Sequence, residues 1–167
     1  HLSTRRQRQM CIRDSLLYYK GIVRNKQELQ MAYISAEDVK HIRVALKEEF
    51  GKTYKFGVKR DHGSGVRITF KEGPAFEVTQ RFDPYKHEEV EMDINNHAQI
   101  NHYHTHMYGE ANQKILDKVS EIAHTAPAKA GGKKYYCNDD IQSDYFDRAY
   151  YVSIHVGAWD KDYVVTG

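Results

Sequence analysis

Three histidines stand at every second position in the short stretch NHYHTH. On a β-strand, the side chains of His102, His104 and His106 would point to one face, about 6–7 Å apart from one to the next. Three imidazoles that converge on one ion, with a fourth position left for water, form a ligand set typical of hydrolytic zinc sites. The stretch therefore predicts a strand and suggests a zinc site; the alternative is a polar strand face exposed to solvent.

The stretch YYCNDDIQSDYFD combines carboxylates with one cysteine. It does not fit an EF-hand, because Ser143 stands at the sixth loop position, where glycine is needed, and Ala149 stands at the twelfth, where glutamate is needed. Its four aspartates suggest either a magnesium site or a solvated acidic loop: Asp139, Asp140, Asp144 and Asp147. Cys137 lacks the histidine and asparagine partners of a thiol nucleophile, which favours a structural cysteine.

A helix over 36–50 is the clearest element that could position such residues. Ser35 is a good N-cap, Asp38 stands at the capping-box position, and Gly51 is a natural stop. Apolar residues then recur at helical spacing along one face: Val39, Ile42, Leu46 and Phe50. After this helix the apolar period changes to two on either side of the turn-rich RDHGSG, which predicts a β-hairpin whose apolar face covers the helix.

The remaining pattern is less regular, but helices and strands still alternate. It predicts a short helix near 75–82, a strand over 99–106, a helix over 109–126 that Pro127 ends, a flexible loop over 127–134, a strand over 150–156 and a final strand over 163–166. The predicted fold class is α+β, with amphipathic helices packed on a mainly antiparallel sheet.

The charge of the chain is concentrated at its start. The formal net charge is +2, yet residues 1–15 carry four arginines and one aspartate, a net +3, so residues 16–167 carry −1. The segment RRQRQMCIRDS resembles a conceptual translation of sequencing-adapter DNA, and the alternative is a disordered basic tail. We therefore expect residues 1–15 to be non-native or disordered and residues 16–167 to form a single α+β domain.

Composition narrows the functional classes. No apolar run approaches the roughly 20 residues that a membrane-spanning helix needs, so no membrane partner is predicted. The two cysteines, Cys11 and Cys137, allow one disulfide at most, which favours a reducing cytosol. Without the basic segment, the case for nucleic-acid binding is weak.

The segment YISAEDVKHIRVALKEEFGKTYKFGVKRDHGSGVRITFKEGP, residues 33–74, resembles the twenty-ninth of the large polyvalent protein-associated domains. The matching residues are Ile34, Ser35, Ile42, Arg43, Ala45, Leu46, Lys47, Phe50, Phe56, Val58, Arg67, Ile68, Gly73 and Pro74. Phe70 stands where that pattern often has tryptophan, and Glu72 stands where it has aspartate. The resemblance implies a module of bacteriophages and other mobile elements, and it transfers no catalytic residue.

These observations favour an accessory or interaction module that acts by binding, most plainly to protein, in the cytoplasm of a bacterial host. Exposed tyrosine and tryptophan concentrate binding energy at protein interfaces, so the predicted partner-binding residues are Tyr145, Tyr151 and Trp159. No catalytic residue and no cofactor other than zinc is predicted. The alternatives are a metal-dependent hydrolase or nuclease that uses the three histidines, and a nucleic-acid-binding module.

Overall fold

The computed structural model describes residues 31–167, so the basic segment 1–15 and Cys11 lie outside the described residues. Within this part, two helices and seven strands follow one another: α1 (Ala36–Phe50), β1 (Lys55–Asp61), β2 (Gly65–Gly73), β3 (Thr79–Asp83), β4 (Glu88–Met92), β5 (Ala98–Ile100), α2 (Glu110–Lys129), β6 (Tyr151–Val156) and β7 (Val164–Val165). Short 3₁₀ turns lie at Thr105–Tyr108 and Ile141–Ser143. The fold class is α+β, as predicted.

Helix α1 begins and ends where the sequence predicts. The Ser35 hydroxyl accepts a 3.0 Å hydrogen bond from the Asp38 amide, and the Asp38 carboxylate accepts from the Ser35 amide and hydroxyl. Gly51, with φ of 55°, follows the last turn and donates its amide to the Lys47 carbonyl. Both ends are thus closed by local hydrogen bonds, which fixes the helix length.

The larger sheet joins its strands in the order β1-β2-β6-β5, and β7 lies beside the end of β2. β1 pairs antiparallel with β2, and β5 pairs antiparallel with β6. β6 and β7 both run parallel to β2. A parallel neighbour requires a long crossover, and here that crossover contains β3, β4, β5 and α2. The sheets are therefore mostly antiparallel, with parallel pairing at β2.

Both helices cover the same side of this sheet. Val58 lies directly opposite Ile68, and the Phe56 ring lies 4.8 Å from the Phe70 ring, so the predicted apolar hairpin face is confirmed. The helical side chains that meet it are fully or almost fully buried: Val39, Ile42, Leu46, Leu116, Val119 and Ala123. Burial of apolar surface is the main stabilising contribution to such a two-layer arrangement.

Helix α2 continues past Pro127, so the prediction that this proline ends the helix is wrong. Proline lacks the N–H that would reach the carbonyl four residues earlier, at Ala123. The hydroxyl of Tyr150, whose side chain is fully buried, donates a 2.8 Å hydrogen bond to that carbonyl. The tyrosine thus supplies the donor that the proline removes, which accounts for a helix that runs through Pro127.

The loop after α2 is tied to the start of α1. The Lys133 amide donates to Asp38 Oδ1 at 3.0 Å, and the Lys133 ammonium donates to the carbonyls of Tyr33 and Ala149. A Cβ on Gly132 would lie 2.2 Å from Asp38 Oδ1, so only glycine fits. Burial raises the pKa of Asp38, but its hydrogen bonds outweigh this effect and hold the pKa below its ordinary value. The flexibility predicted for this loop stays a prediction.

The short helix predicted near 75–82 is wrong, because β3 forms there and pairs antiparallel with β4 in a separate two-stranded sheet. Two asparagines clamp the base of this hairpin. Asn95 accepts from the Phe76 amide and donates to the Phe76 carbonyl, and Asn112 makes the same pair of bonds with Glu77. The hairpin is therefore held firmly at its base, while its tip carries the exposed Tyr85.

Candidate functional site

The side of the larger sheet that faces away from α1 and α2 is polar. We call it the open face and define it by Lys59, Arg67, Thr69, Lys71, Gln99, Ser153 and His155, because these residues alternate with the buried ones along their strands. No element within residues 31–167 packs over it. A sheet with one solvated face is ordinary for antiparallel pairing, so the charges on this face decide whether it is more than a solvated surface.

Those charges are mostly positive. Lys59 and Arg67 are directly opposite one another on β1 and β2, and like charges in this relation destabilise a sheet. Arg67 also forms a 3.0 Å ion pair with Asp61, the acidic neighbour of this group. The stem of Lys71 lies across Gly57, where a Cβ would come within 2.6 Å of it. The open face thus presents three cations against one carboxylate.

His155 lies near the middle of the open face. Its Nε2 is 2.7 Å from the Ser153 hydroxyl, and the strand register places it opposite Thr69. Burial lowers the pKa of His155, and the positive charge of Arg67 lowers it further. The imidazole is therefore neutral at physiological pH and offers a hydrogen-bonding group between the cations.

An aromatic edge borders the open face, and we define it as Tyr103, Arg148 and Tyr151. The Arg148 guanidinium lies 4.8 Å from the centre of the Tyr151 ring and donates a 3.1 Å hydrogen bond to the Tyr103 hydroxyl. Arg148 also pairs with Asp139. Tyr103 is 61% exposed and Tyr151 is 42% exposed. Two accessible rings are therefore held in place by one half-buried arginine.

A shallow cavity of about 360 Å³ opens at this edge. It lies between the end of β5 and the start of β6 and is lined by Gln99, Ile100, Asn101, His102, Tyr103, Val152 and Ser153. A cavity of this kind beside exposed rings is suited to receiving one aromatic side chain of a partner.

A column of half-buried rings adjoins the aromatic edge. The ring of His102 lies 4.2 Å from Tyr103 and 6.0 Å from His124, whose ring lies 4.1 Å from Tyr135. Burial lowers the pKa of His124 to about 4 and also lowers that of His102. Both imidazoles are therefore neutral at pH 7, and burial raises the pKa of Tyr135 to about 12. His102, His124 and Tyr135 are half-buried, and neutral imidazoles of such low pKa are poorly suited to acid–base catalysis at neutral pH.

The predicted histidine strand is wrong beyond Ile100, because β5 ends there and a turn and a 3₁₀ helix follow. The Asn101 amide donates a 2.9 Å hydrogen bond to the Tyr108 hydroxyl, which ties the turn after β5 to the following 3₁₀ helix. His104 and His106 face each other, with ring centres 5.8 Å apart, whereas His102 faces His124. No group of three metal-binding side chains occurs among residues 31–167. Zinc binding by these histidines stays a prediction.

The predicted partner-binding residues lie in three different places. Tyr151 belongs to the aromatic edge, Tyr145 lies in the loop before β6, and Trp159 is 87% exposed in the turn after β6. The sequence reasoning did not single out Tyr103 or Arg148. Spacing offered no signal for them, because 45 residues separate their sequence positions.

A second cavity, of about 450 Å³, lies at the end of α1 beside β1. Its cations are partly engaged, since Lys55 pairs with Glu72 at 3.0 Å and Arg43 donates to the Val58 carbonyl at 2.8 Å. The negative end of the α1 dipole also points toward it, which disfavours an anion. The open face is therefore the better candidate for a binding surface.

Among residues 31–167, neither helix is long and apolar enough to cross a membrane. No curated protein and no solved structure matches this chain. The family model described as large polyvalent protein associated domain 29 matches residues 33–150. The matched range contains both helices and strands β1 to β5, together with Tyr103 and Arg148 of the aromatic edge. This match covers more than half of the chain and agrees with the resemblance seen in residues 33–74. The chain therefore belongs to the family of large polyvalent protein associated domain 29.

Proposed function

We propose that this chain is a non-catalytic accessory module that binds an acidic segment of a partner protein on the open face. The observation that carries the proposal is the direct opposition of Lys59 and Arg67. Such a pair lowers the stability of the isolated sheet, and an acidic partner would relieve the repulsion. The family resemblance implies a setting in bacteriophages or mobile elements, and we propose that the module acts in the cytoplasm of the bacterial host.

The aromatic edge supports a protein partner. Tyrosine and arginine are the residue types that concentrate binding energy at protein interfaces. Tyr103 and Tyr151 present their rings at little entropic cost, because Arg148 already holds both of them. The adjoining cavity of about 360 Å³ would receive an aromatic side chain. The expected ligand is therefore a segment with several carboxylates and at least one aromatic residue.

Selection from a random peptide display library tests this proposal. The full chain should enrich peptides rich in Asp and Glu that contain an aromatic residue. A variant with Lys59→Glu and Arg67→Glu should lose this preference, whereas the matched variant with Lys40→Glu and Lys47→Glu, on the exposed side of α1, should keep it.

Two results would overturn the proposal. One is enrichment that the Lys59→Glu and Arg67→Glu changes leave intact, because the open face would then not be the site. The other is tight, salt-dependent binding of an oligothymidylate in place of any acidic peptide, which would favour the nucleic-acid-binding alternative.

A further inference from the structure

The hairpin of β3 and β4 presents one fully exposed side. Phe82 lies directly opposite Glu89, and Gln80 lies directly opposite Glu91. All four side chains are exposed, Phe82 by 57%, and none of them is a cation. We call this side the acidic hairpin face and define it by Gln80, Phe82, Glu89 and Glu91. It has the carboxylates and the aromatic ring that the proposed function requires of a ligand.

This hairpin lacks the support that two strands ordinarily need. An isolated two-stranded sheet is marginally stable in water and gains stability when another layer packs on it. The asparagine clamps of Asn95 and Asn112 hold its base, and the partly buried Met92 packs against the core. Nothing within residues 31–167 covers the acidic hairpin face, where Phe82 and the tip residue Tyr85 remain in solvent.

Edge-to-edge pairing of two such hairpins is disfavoured as a way to cover the acidic hairpin face. β4 carries Glu88, Glu89 and Glu91, and two copies side by side would bring these carboxylates together. Charged edges of this kind oppose strand addition. The partner surface should therefore be basic and should offer a place for an aromatic ring.

The open face meets both requirements. It carries Lys59, Arg67 and Lys71, and the cavity of about 360 Å³ lies at its border. Resting on the proposed function, we infer that its acidic ligand is the hairpin of a second copy of this chain: the acidic hairpin face of one molecule docks on the open face of another. Glu89 and Glu91 then face the cations, and Phe82 or Tyr85 enters the cavity.

Two assemblies satisfy this contact. If both molecules exchange hairpins around a two-fold axis, the result is a closed dimer with two identical contacts. If each molecule uses its hairpin on one neighbour and its open face on another, the result is a chain that lengthens with concentration. Either assembly should dissociate as salt screens the charges.

Sedimentation of the full chain with reversed charges tests the inference. The hairpin-reversed variant carries Glu89→Lys and Glu91→Lys, and the face-reversed variant carries Lys59→Glu and Arg67→Glu. The wild type should associate at about 50 mM NaCl and dissociate at about 500 mM NaCl. Each variant alone should be monomeric, with a dissociation constant raised by about tenfold or more.

A mixture of the two variants provides the decisive measurement. The basic hairpin of the hairpin-reversed variant then meets the acidic open face of the face-reversed variant. The acidic hairpin of the face-reversed variant likewise meets the basic open face of the hairpin-reversed variant. The equimolar mixture should therefore associate again. A control with Glu48→Lys and Glu49→Lys, on the exposed side of α1, should associate like the wild type. Circular dichroism should show the same folded spectrum for all variants.

Three results would overturn the inference. The wild type could remain monomeric at low salt and about 200 μM, the reversed variants could still associate alone, or their mixture could stay monomeric. If acidic peptides nevertheless bind the open face in the display experiment, the proposed function stands and only the identity of its ligand is wrong. If they do not bind, both proposals fail.

Discussion

The bond between the Tyr150 hydroxyl and the Ala123 carbonyl predicts a specific coupling with Pro127. Tyr150→Phe removes the donor and leaves a carbonyl unsatisfied inside the protein, since Tyr150 is fully buried. A buried polar group without a partner costs about 1–3 kcal/mol. We therefore expect Tyr150→Phe to lower the free energy of unfolding by that amount.

Pro127→Ala should largely remove this cost. The alanine supplies the N–H that a helix normally offers to the carbonyl four residues earlier, so Ala123 regains a partner without the tyrosine. In the Pro127→Ala background, Tyr150→Phe should therefore cost less, and the double-mutant cycle should give a coupling free energy of about 1 kcal/mol. Urea unfolding followed by circular dichroism measures all four proteins of the cycle.

Tyr163 offers a matched control. The hydroxyl of this buried tyrosine donates a 2.8 Å hydrogen bond to the Pro74 carbonyl, a partly buried bond that does not involve Pro127. Tyr163→Phe and Pro127→Ala should be additive within about 0.3–0.5 kcal/mol, the usual limit for independent sites. If Tyr150→Phe and Pro127→Ala are equally additive, the tyrosine does not replace the missing donor and our account of the uninterrupted helix is refuted.

Three further predictions concern stability. Because partial burial lowers the pKa of His124 to about 4, the unfolded chain binds the extra proton first, so stability should fall as the pH drops from about 6.5 toward 4. The urea midpoints at pH 7.5 and pH 5 should differ less for His124→Gln than for the wild type, and an unchanged difference would contradict this assignment. Gly132→Ala should cost about 2–3 kcal/mol, because its Cβ would displace Asp38 from the Lys133 amide; a thermal melt that matches the wild type would show that the loop can move without cost. Lys59→Glu should raise the free energy of unfolding by about 0.2–1 kcal/mol, because it places a carboxylate opposite Arg67, and it should weaken peptide binding. A lower free energy of unfolding would argue against the repulsion between Lys59 and Arg67 on which the proposed function depends.

The elements that the sequence predicts well are those whose signals are local. The apolar spacing of α1, its capping box and Gly51 all lie within 17 residues, from Ser35 to Gly51, and the structure confirms each of them. The hairpin of β1 and β2 also follows from a short alternating pattern with a turn between its halves. Helix α2 was predicted for the same reason, apart from its last turn.

The sequence predictions that are wrong or missing concern places where a distant residue determines the local structure. Pro127 stays helical because Tyr150 supplies a hydrogen bond, and no sequence pattern links these positions. β3 forms where the sequence predicts a short helix, since its strand conformation depends on pairing with β4, whose sequence EEVEM carries little strand signal of its own. The aromatic edge could not be foreseen either, since Tyr103 and Arg148 meet only after the chain has crossed α2.

The central position of β2 determines where this domain can be cut. β2 obtains its second neighbour from β6, Tyr151–Val156, which begins directly after the last residue of the family match. In a fragment that stops at residue 150, six residues of β2 would lose their pairing with β6, and Ile154 and Val156 would be missing from the core. Such a fragment would expose a bare apolar edge and should aggregate, so recombinant truncations ought to retain the chain at least through β7.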